Sequence, residues 1–173
     1  MNKARMLFTL PCLALLAACN MGAGGNASSG ASSGDSVQGE LAGARIGAPF
    51  TLTDQDGKPA RWDDYKGQYR TVYFGYTYCP DVCPVDLQRI MQAFAQFEKA
   101  APERAAKVQP ILISVDPARD TPTVLKTYVA AFHPRLIGLT GTPDQIAKVA
   151  KDFVVIYNSE KVAGASDYLV GHS

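Results

Sequence analysis

The sequence predicts an α/β fold in which a largely parallel central sheet is flanked by helices. Strand-like runs alternate with helix-like segments of about ten residues or more from Arg70 onward, and such alternation implies crossover connections between parallel strands. An apolar content of 47% in 173 residues can support a packed core. The formal net charge of +1 gives no indication of nucleic-acid binding. One folded domain with an additional N-terminal segment accounts for the length.

The first 18 residues have the features of an export signal. Lys3 and Arg5 form a basic start, and residues 6–18 form an apolar run of 13 residues, too short to span a bilayer comfortably. The run ends in Leu-Ala-Ala before Cys19, as in a bacterial lipobox. We therefore expect a lipoprotein signal peptide over 1–18, lipidation of Cys19, and a mature protein anchored by lipid to a bacterial membrane and facing the periplasm. The alternative is an ordinary signal peptide with an incidental cysteine.

Residues 19–45 predict a flexible tether. Positions 22–43 contain seven glycines and five serines, so the segment buries too little apolar surface to offset the entropy of ordering it. Loss of the signal peptide leaves 15 basic and 16 acidic residues, and membrane attachment would depend on the lipid rather than on a basic patch. Order is expected to begin near Ile46, so the folded domain covers 46–173.

The folded part opens with a short strand, a turn and then one strong strand. Residues 50–53 alternate as a strand, and residues 54–57 are typical of a turn. The β-branched and aromatic run at 70–77 predicts the first long strand. A helix over 82–100 follows, because its apolar residues recur at steps of three and four. These residues are Leu87, Ile90, Met91, Phe94 and Phe97.

The later elements repeat one pattern, an apolar strand followed by a helix that opens with threonine and proline. In the pairs Thr121–Pro122 and Thr142–Pro143, the hydroxyl can cap the helix and proline can take the first helical position. The predicted elements are a central strand at 108–115, a helix from 122 to about 132, a strand at 136–140, a helix from 143 to about 152, and short apolar runs at 153–157 and 168–170.

Residues 75–86 read GYTYCPDVCPVD and hold the two thiols expected to remain in the mature protein. Cys79 and Cys83 follow a predicted strand at the mouth of a helix, where partial positive charge favours thiolates. Four helical residues would place both side chains on one face at a Cα separation of about 6 Å, within the range of a Cys79–Cys83 disulfide. Pro80 and Pro84 are tolerated only in a first turn, which places the helix start inside the motif.

Three roles are open for this cysteine pair. A structural disulfide is the first, although so short a loop would restrict the unfolded chain little. A dithiol oxidoreductase is the second, although such proteins favour a Cys-x-x-Cys spacing. A soft-metal site is the third, and Cu(I) combines a low ligand requirement with a strong preference for sulfur. A structural zinc ion would want four protein ligands, and the mature chain has no second cysteine pair.

A third metal ligand would have to come from one of two histidines. His133 ends the predicted second helix, where a histidine is expected to interact with the helix dipole or to form a local hydrogen bond. His172 follows the apolar run at 168–170 and is either a ligand or a frayed terminal residue. Residue types and spacing alone leave both interpretations of His172 open.

Three blocks occur in a fixed order across the folded part: TVYFGYTYCPDVCPVDL at 71–87, SVDPARDTP at 114–122 and YLVGHS at 168–173. Together they resemble the SCO/SenC family of copper chaperones for cytochrome c oxidase. The resemblance implies a thioredoxin-like fold and copper, Cu(I) or Cu(II), bound by Cys79, Cys83 and His172. It also implies an oxidase subunit II or another copper protein as the partner. The family delivers copper to the binuclear copper centre of that subunit or reduces its cysteines, and some bacterial members serve redox homeostasis.

Two departures from the family pattern concern the site. The family usually carries Asp before its histidine, where this chain has Gly171, which puts the tuning of the imidazole in question more than its ligation. Family members also continue past the histidine through a β-hairpin and a final helix, whereas this chain stops at Ser173. We expect a domain that lacks those elements. If the stop is genuine, one sheet face is exposed and His172 frays and binds copper weakly or not at all.

The first functional hypothesis is a lipid-tethered copper metallochaperone. Cys79, Cys83 and His172 would bind Cu(I) trigonally, and oxidation of the thiols to a disulfide would release it. The alternative is a thiol–disulfide reductase or redox-homeostasis protein in which one of the two thiolates attacks. A third, non-catalytic hypothesis is a binding module with an incomplete fold. Since a reductase needs no histidine ligand, His172 favours copper.

Overall fold

A computed structural model of the chain describes residues 43–161 and 168–172. The predicted signal peptide, Cys19 and nearly all of the predicted tether lie outside these residues. Within the described ranges, no helix is both long and apolar enough to cross a membrane. The first backbone hydrogen bond of the domain is donated by Gly47 N–H to the Asp152 carbonyl at 2.6 Å.

A five-stranded sheet forms the centre of the domain. Its strands are β1 (Thr51–Asp54), β2 (Pro59–Arg61), β3 (Tyr69–Gly75), β4 (Val108–Ser114) and β5 (Ile137–Thr140). They lie in the order β2-β1-β5-β4-β3. The pairs β3–β4 and β4–β5 are parallel, whereas β1 is antiparallel to both β2 and β5. The predicted α/β architecture with parallel central strands is confirmed, and the antiparallel pairs lie toward the β2 edge.

Four helices and a separate hairpin complete the described fold. The helices are α1 (Val82–Ala100), α2 (Pro102–Ala105), α3 (Pro122–Ala130) and α4 (Pro143–Asp152). The hairpin pairs β6 (Tyr157–Lys161) with β7 (Tyr168–His172) in antiparallel register. Both threonine caps are confirmed, since the Thr121 hydroxyl accepts the Val124 N–H at 3.4 Å and the Thr142 hydroxyl accepts the Gln145 N–H at 3.2 Å.

The core is divided between the two faces of the sheet. Along β4, Ile111 and Ile113 belong to one apolar cluster and Leu112 to another, as the two-residue period of a strand requires. The first cluster includes Ile146 and Val149 of α4. The second contains residues of α1 and α3, namely Leu87, Met91, Phe94, Leu125 and Val129. Helices on both faces of the parallel strands therefore fix where the carboxyl ends of β3 and β4 lie, and the cysteine motif follows directly after β3.

Val154, two residues past the end of α4, has a backbone conformation that suits glycine better. Its φ of 60° is the one positive value for a non-glycine residue in the part of the chain that the structure describes. Its N–H donates to the Lys151 carbonyl at 3.1 Å, and the next N–H, of Val155, donates to the Ala150 carbonyl at 2.8 Å. These bonds close the helix as in a left-handed C-terminal cap, a position that glycine usually fills.

We expect Val154→Gly to raise the free energy of unfolding by about 0.5–1 kcal/mol. The left-handed conformation costs a β-branched residue about 1–2 kcal/mol, and the greater freedom of glycine in the unfolded chain offsets part of the gain. The side chain is 69% exposed, so little packing is lost. Urea unfolding measures the change. Val85→Gly, inside α1, serves as the control and should destabilise; a Val154→Gly protein less stable than wild type would contradict the prediction.

Candidate metal centre

Cys79 and Cys83 lie on either side of the start of α1. Cys79 is half-buried in the turn before the helix, and Cys83 is fully buried as its second residue. The helix begins inside the motif, as predicted. The expectation that both thiols lie on one helical face is wrong, because Asp81 between them has a non-helical backbone, with φ −140° and ψ −85°.

The sulfur of Cys79 caps the N-terminus of α1. The side chain of Asp81, at the N-cap position, makes no capping hydrogen bond. Instead the N–H of Cys83 donates to Cys79 Sγ at 3.3 Å. The first N–H groups of a helix have no partner within it, so the sulfur satisfies one of them. A thiolate at this place is favoured by the partial positive charge of the helix terminus.

Hydrogen bonding separates the pKa values of the two thiols. Burial raises the pKa of Cys79, but hydrogen bonds with the Cys83 thiol, the amides of Asp81 and Cys83 and the Tyr76 hydroxyl outweigh it and bring the pKa below its ordinary value. Burial, followed by the contact with Cys79, raises the pKa of Cys83 to about 12. Cys79 is therefore the more nucleophilic thiol at neutral pH.

We expect iodoacetamide to modify Cys79 well before Cys83 in the reduced, metal-free protein at pH 7. Cys79 is partly exposed and its pKa is lowered, whereas Cys83 is 0% exposed and remains protonated. The thiolate is the reacting form. Mass spectrometry of the proteolysed chain measures each site. In urea the two rates should converge, and equal modification in the folded state would contradict the prediction.

The β6–β7 hairpin brings His172 to the thiols. His172 Nε2 lies 3.8 Å from Cys83 Sγ, although the two residues are 89 positions apart. The ring is half-buried and stands edge-on to Tyr76 with the centroids 6.1 Å apart. Because His172 is paired with Tyr157 across the hairpin, the expectation of a frayed residue is wrong for the described structure.

Strand β7 packs on the cysteine loop. The N–H of Val170 donates to the Tyr76 hydroxyl at 3.1 Å. Val170 is buried in an apolar cluster with Tyr76, Cys83 and Val115. The strand that carries His172 therefore shares its packing with the thiol that His172 approaches.

The other histidine, His133, makes the predicted local hydrogen bond and also an ion pair with a distant residue. His133 Nε2 pairs with Glu98 Oε2 at 3.0 Å, and its Nδ1 accepts the N–H of Arg135 at 3.2 Å. Its ring packs edge-on against Phe94. These contacts tie the end of α3 to α1 and use both ring nitrogens.

A buried carboxylate supports the cysteine loop. Asp120, 0% exposed, accepts the N–H of Thr77 at 3.1 Å and the hydroxyls of Thr77 and Ser114, each at 2.6 Å. Sequence reasoning gave Asp120 and Tyr76 no role, although both lie in blocks that carry the family resemblance. The signal that could have identified them is the presence of a charged residue and a hydroxyl-bearing residue next to strands predicted to be buried.

The donor set fits a soft cation with few ligands. Among the described residues, no group of three His, Cys, Asp or Glu side chains is close enough to form a ready-made metal site. The distance of 3.8 Å from Cys83 Sγ to His172 Nε2 is nevertheless near the separation of two ligands on one ion, since zinc-like bonds of about 2.3 and 2.0 Å at 120° place the atoms about 3.7 Å apart. Two thiolates and an imidazole suit Cu(I).

The fold and this thiol–imidazole arrangement define an α/β domain with a candidate redox or metal site at the start of its first long helix. The SCO1/SenC family model matches residues 38–173, and the chain belongs to this family. The predicted family membership and thioredoxin-like fold are thereby confirmed.

The similarity extends to mitochondrial and bacterial proteins. The chain is 45% identical over 129 residues to SCO2, mitochondrial, of Saccharomyces cerevisiae, covering 74% of this chain and 42% of that protein. It is 40% identical over 132 residues to a SCO2-like protein of Rickettsia felis, covering 75% and 62%. The chain spans about half the length of the curated relatives it matches.

Solved structures of copper-bound proteins share the fold. ScoI of Bradyrhizobium japonicum with copper bound gives a TM-score of 0.67 at 43% identity, covering 74% of this chain and 78% of that one. Arabidopsis thaliana ScoI with copper bound gives 0.69 at 42% identity, covering 74% and 77%.

Proposed function

We propose that the chain is a copper chaperone in which Cys79, Cys83 and His172 bind one Cu(I) ion as cargo during cytochrome c oxidase assembly. The approach of His172 Nε2 to Cys83 Sγ, at 3.8 Å, is the observation that carries this proposal. Relatives solved with copper bound support the choice of metal. The recipient is the binuclear copper centre of oxidase subunit II or another copper protein.

The two thiols have different roles in the capture of the copper ion. Cys79 is the readier thiolate and the more exposed sulfur, which suits the first contact with an incoming ion. Cys83 is fully buried, and it must lose its proton when the ion binds. Release can then proceed by exchange of the thiolates for the ligands of an acceptor, which leaves the oxidation state of copper unchanged.

Reconstitution with Cu(I) under reducing conditions tests the proposal. We expect one Cu(I) per chain, lost in Cys79→Ser and Cys83→Ser. Replacing His172 by alanine removes one of three donors, and we expect the affinity to fall by about tenfold or more. Competition with a chromogenic Cu(I) chelator measures it.

His133→Ala is the matched control for the histidine. Since His133 contacts Glu98, Arg135 and Phe94 rather than a thiol, copper stoichiometry and affinity should stay at the wild-type level. Absence of stoichiometric copper, or binding that persists in Cys79→Ser, would contradict the proposal.

A thiol–disulfide reductase is the second candidate, favoured by the unequal thiols. A partly exposed cysteine with a lowered pKa beside a buried one with a raised pKa is the arrangement of an attacking and a resolving thiol. A Sco protein described as containing a disulfide switch, BsSco, resembles the chain at 29% identity and a TM-score of 0.53. Catalytic disulfide reduction that survives His172→Ala, without stoichiometric copper, would establish this function over the first.

We further propose an exported, membrane-associated protein with a signal peptide at 1–18, a lipid on Cys19, a tether over 19–45 and a functional domain over 46–173. A SCO1/SenC family lipoprotein of Bacillus anthracis, 31% identical with a TM-score of 0.59, supports this organisation. Labelling with radioactive fatty acid in a bacterial host tests it. Label should be incorporated by wild type and lost in Cys19→Ala, and equal labelling of the two would overturn the assignment.

A further inference from the structure

We propose, building on the copper site put forward above, that Arg119 is a positioning residue that holds β7 so that His172 faces the thiols. The SVDPARDTP block at 114–122 contains Arg119 and follows β4. Neither the ligand set nor the thiol chemistry assigns a role to this arginine.

The hairpin depends on side-chain contacts for its place. Among the described residues, β6 and β7 form a two-stranded sheet of their own, separate from the five-stranded sheet. A lone two-stranded hairpin is marginally stable in water. The position of His172 relative to Cys83 is therefore set by the groups that attach β7 to the rest of the domain.

Arg119 attaches the first residue of β7. Its guanidinium carbon lies 3.8 Å from the centroid of the Tyr168 ring and 4.8 Å from that of Tyr78. Its Nε donates to the carboxylate of Asp116, and the side chain is only 15% exposed. Cation–π contacts are stronger when they are shielded from water in this way. Tyr78 immediately precedes Cys79, so one guanidinium links the cysteine loop to the histidine strand.

Asp116 holds the hydroxyl end of the Tyr168 side chain. The Tyr168 hydroxyl donates to Asp116 Oδ1 at 2.6 Å. Asp116 is only 3% exposed, and its N–H donates to the Ser114 hydroxyl at 3.0 Å. The ring of Tyr168 is held by Arg119 and its hydroxyl by Asp116, which restrains both the rotation and the translation of this end of the strand.

The restraint reaches His172 along the strand. Residues 168, 170 and 172 are two apart and therefore lie on one face of β7. All three side chains meet the cysteine side of the domain: Tyr168 through Arg119, Val170 in the apolar cluster with Tyr76 and Cys83, and His172 at Cys83. Four residues of strand span about 13 Å, so a small tilt at Tyr168 displaces the imidazole from the sulfur.

A double-mutant cycle on Cu(I) affinity tests the positioning role. We expect Arg119→Ala to weaken binding about tenfold, the lower end of the range for residues that orient metal ligands. In the His172→Ala background the same substitution should cause no further loss, because its effect passes through the imidazole. X-ray absorption of the copper-loaded Arg119→Ala protein should show the imidazole contribution reduced as in His172→Ala.

Two further variants separate positioning from general damage. Arg104→Ala removes a guanidinium that lies 5.8 Å from the Phe97 ring centroid and should leave affinity unchanged. Tyr168→Phe keeps the ring but loses the bond to Asp116, so it should weaken copper binding in the same His172-dependent way, and it stands in if Arg119→Ala does not fold by circular dichroism. Wild-type affinity in Arg119→Ala, or an equal loss with and without His172, would overturn the inference.

The metal-free protein gives a readout that does not depend on copper. The His172 ring protons lie beside Tyr76, and their NMR shifts should move toward unfolded values in Arg119→Ala and not in Arg104→Ala. If they move while wild type binds no copper, the positioning role stands and the proposed function fails. If they do not move while wild type binds one Cu(I), the positioning role fails and the proposed function stands.

Discussion

Asp120→Ala is expected to lower the free energy of unfolding by about 3–5 kcal/mol. The carboxylate is fully buried and accepts three hydrogen bonds, from Thr77 N–H, the Thr77 hydroxyl and the Ser114 hydroxyl. Removing it leaves these donors without their acceptor in the interior, and each such group costs about 1–3 kcal/mol. Urea unfolding followed by circular dichroism measures the loss.

Asp120→Asn is the control, because it keeps one oxygen acceptor in nearly the same volume. We expect a clearly smaller loss than for alanine. Similar stabilities of the alanine variant and wild type would show that the hydrogen bonds to Asp120 carry little net energy.

The difference in stability between wild type and Asp120→Asn is expected to depend on pH. Burial raises the pKa of Asp120 above its ordinary value of 3.8, and the hydrogen bonds from Ser114 and Thr77 oppose this only in part. Folding therefore favours the protonated carboxyl, and the stability it contributes is present at pH values below 3.8 and lost as the pH rises through the raised pKa. Wild type should lose stability relative to Asp120→Asn over that window; a relative gain would contradict the assignment.

Gly75→Ala is expected to cost about 1–3 kcal/mol of stability and also to weaken copper binding. Gly75 is the last residue of β3 and is buried. A Cβ atom there would lie 2.7 Å from Cε1 of Tyr73 and 3.3 Å from Cys83 Sγ. Since the ring and the sulfur must both move aside, the distance from Cys83 to His172 changes. Thermal unfolding and Cu(I) competition measure the two effects.

Gly138→Ala is the control, because it crowds the core at a place away from the proposed copper site. A Cβ atom at Gly138 would lie 2.9 Å from Val129 Cγ1 and 3.3 Å from Leu125 Cβ, contacts nearly as tight as those at Gly75 but made with α3. We expect a comparable loss of stability with wild-type copper affinity. Equal copper affinities in the two alanine variants would show that Cys83 tolerates the displacement.

Regular elements with strong periodicity are predictable from the residues alone. Helix α1 has the predicted bounds, 82–100, because its apolar positions repeat at helical steps over five turns. The elements missed are short: β2 at Pro59–Arg61, a 3-10 turn at Trp62–Tyr65, α2 at Pro102–Ala105 and most of β6, which lies at Tyr157–Lys161 rather than at the apolar run predicted for 153–157. Segments of three to five residues show little periodicity, and their conformation follows from the neighbours they pack against.

Within the site, the positions of the two thiols are predictable from the sequence, whereas their hydrogen bonding and pKa shifts are not. The placement of Cys79 and Cys83 at a helix start follows from the flanking prolines and the strand before them. The cap that Cys79 Sγ provides to the Cys83 N–H does not, because it depends on the backbone turn at Asp81. The opposite pKa shifts of the two thiols depend on the same turn and on burial, which no pattern of residue types reports.

Local sequence thus accounts for the two thiols, the helix that begins between them and the alternation of strands and helices that makes the domain. These features depend on neighbours a few residues apart, and residue spacing reports them directly. The distance of 3.8 Å between Cys83 and His172 is of another kind. The two residues are 89 positions apart in the chain. The hairpin that carries His172 is held by Tyr76, Asp116 and Arg119, so only long-range packing brings the imidazole to the sulfur.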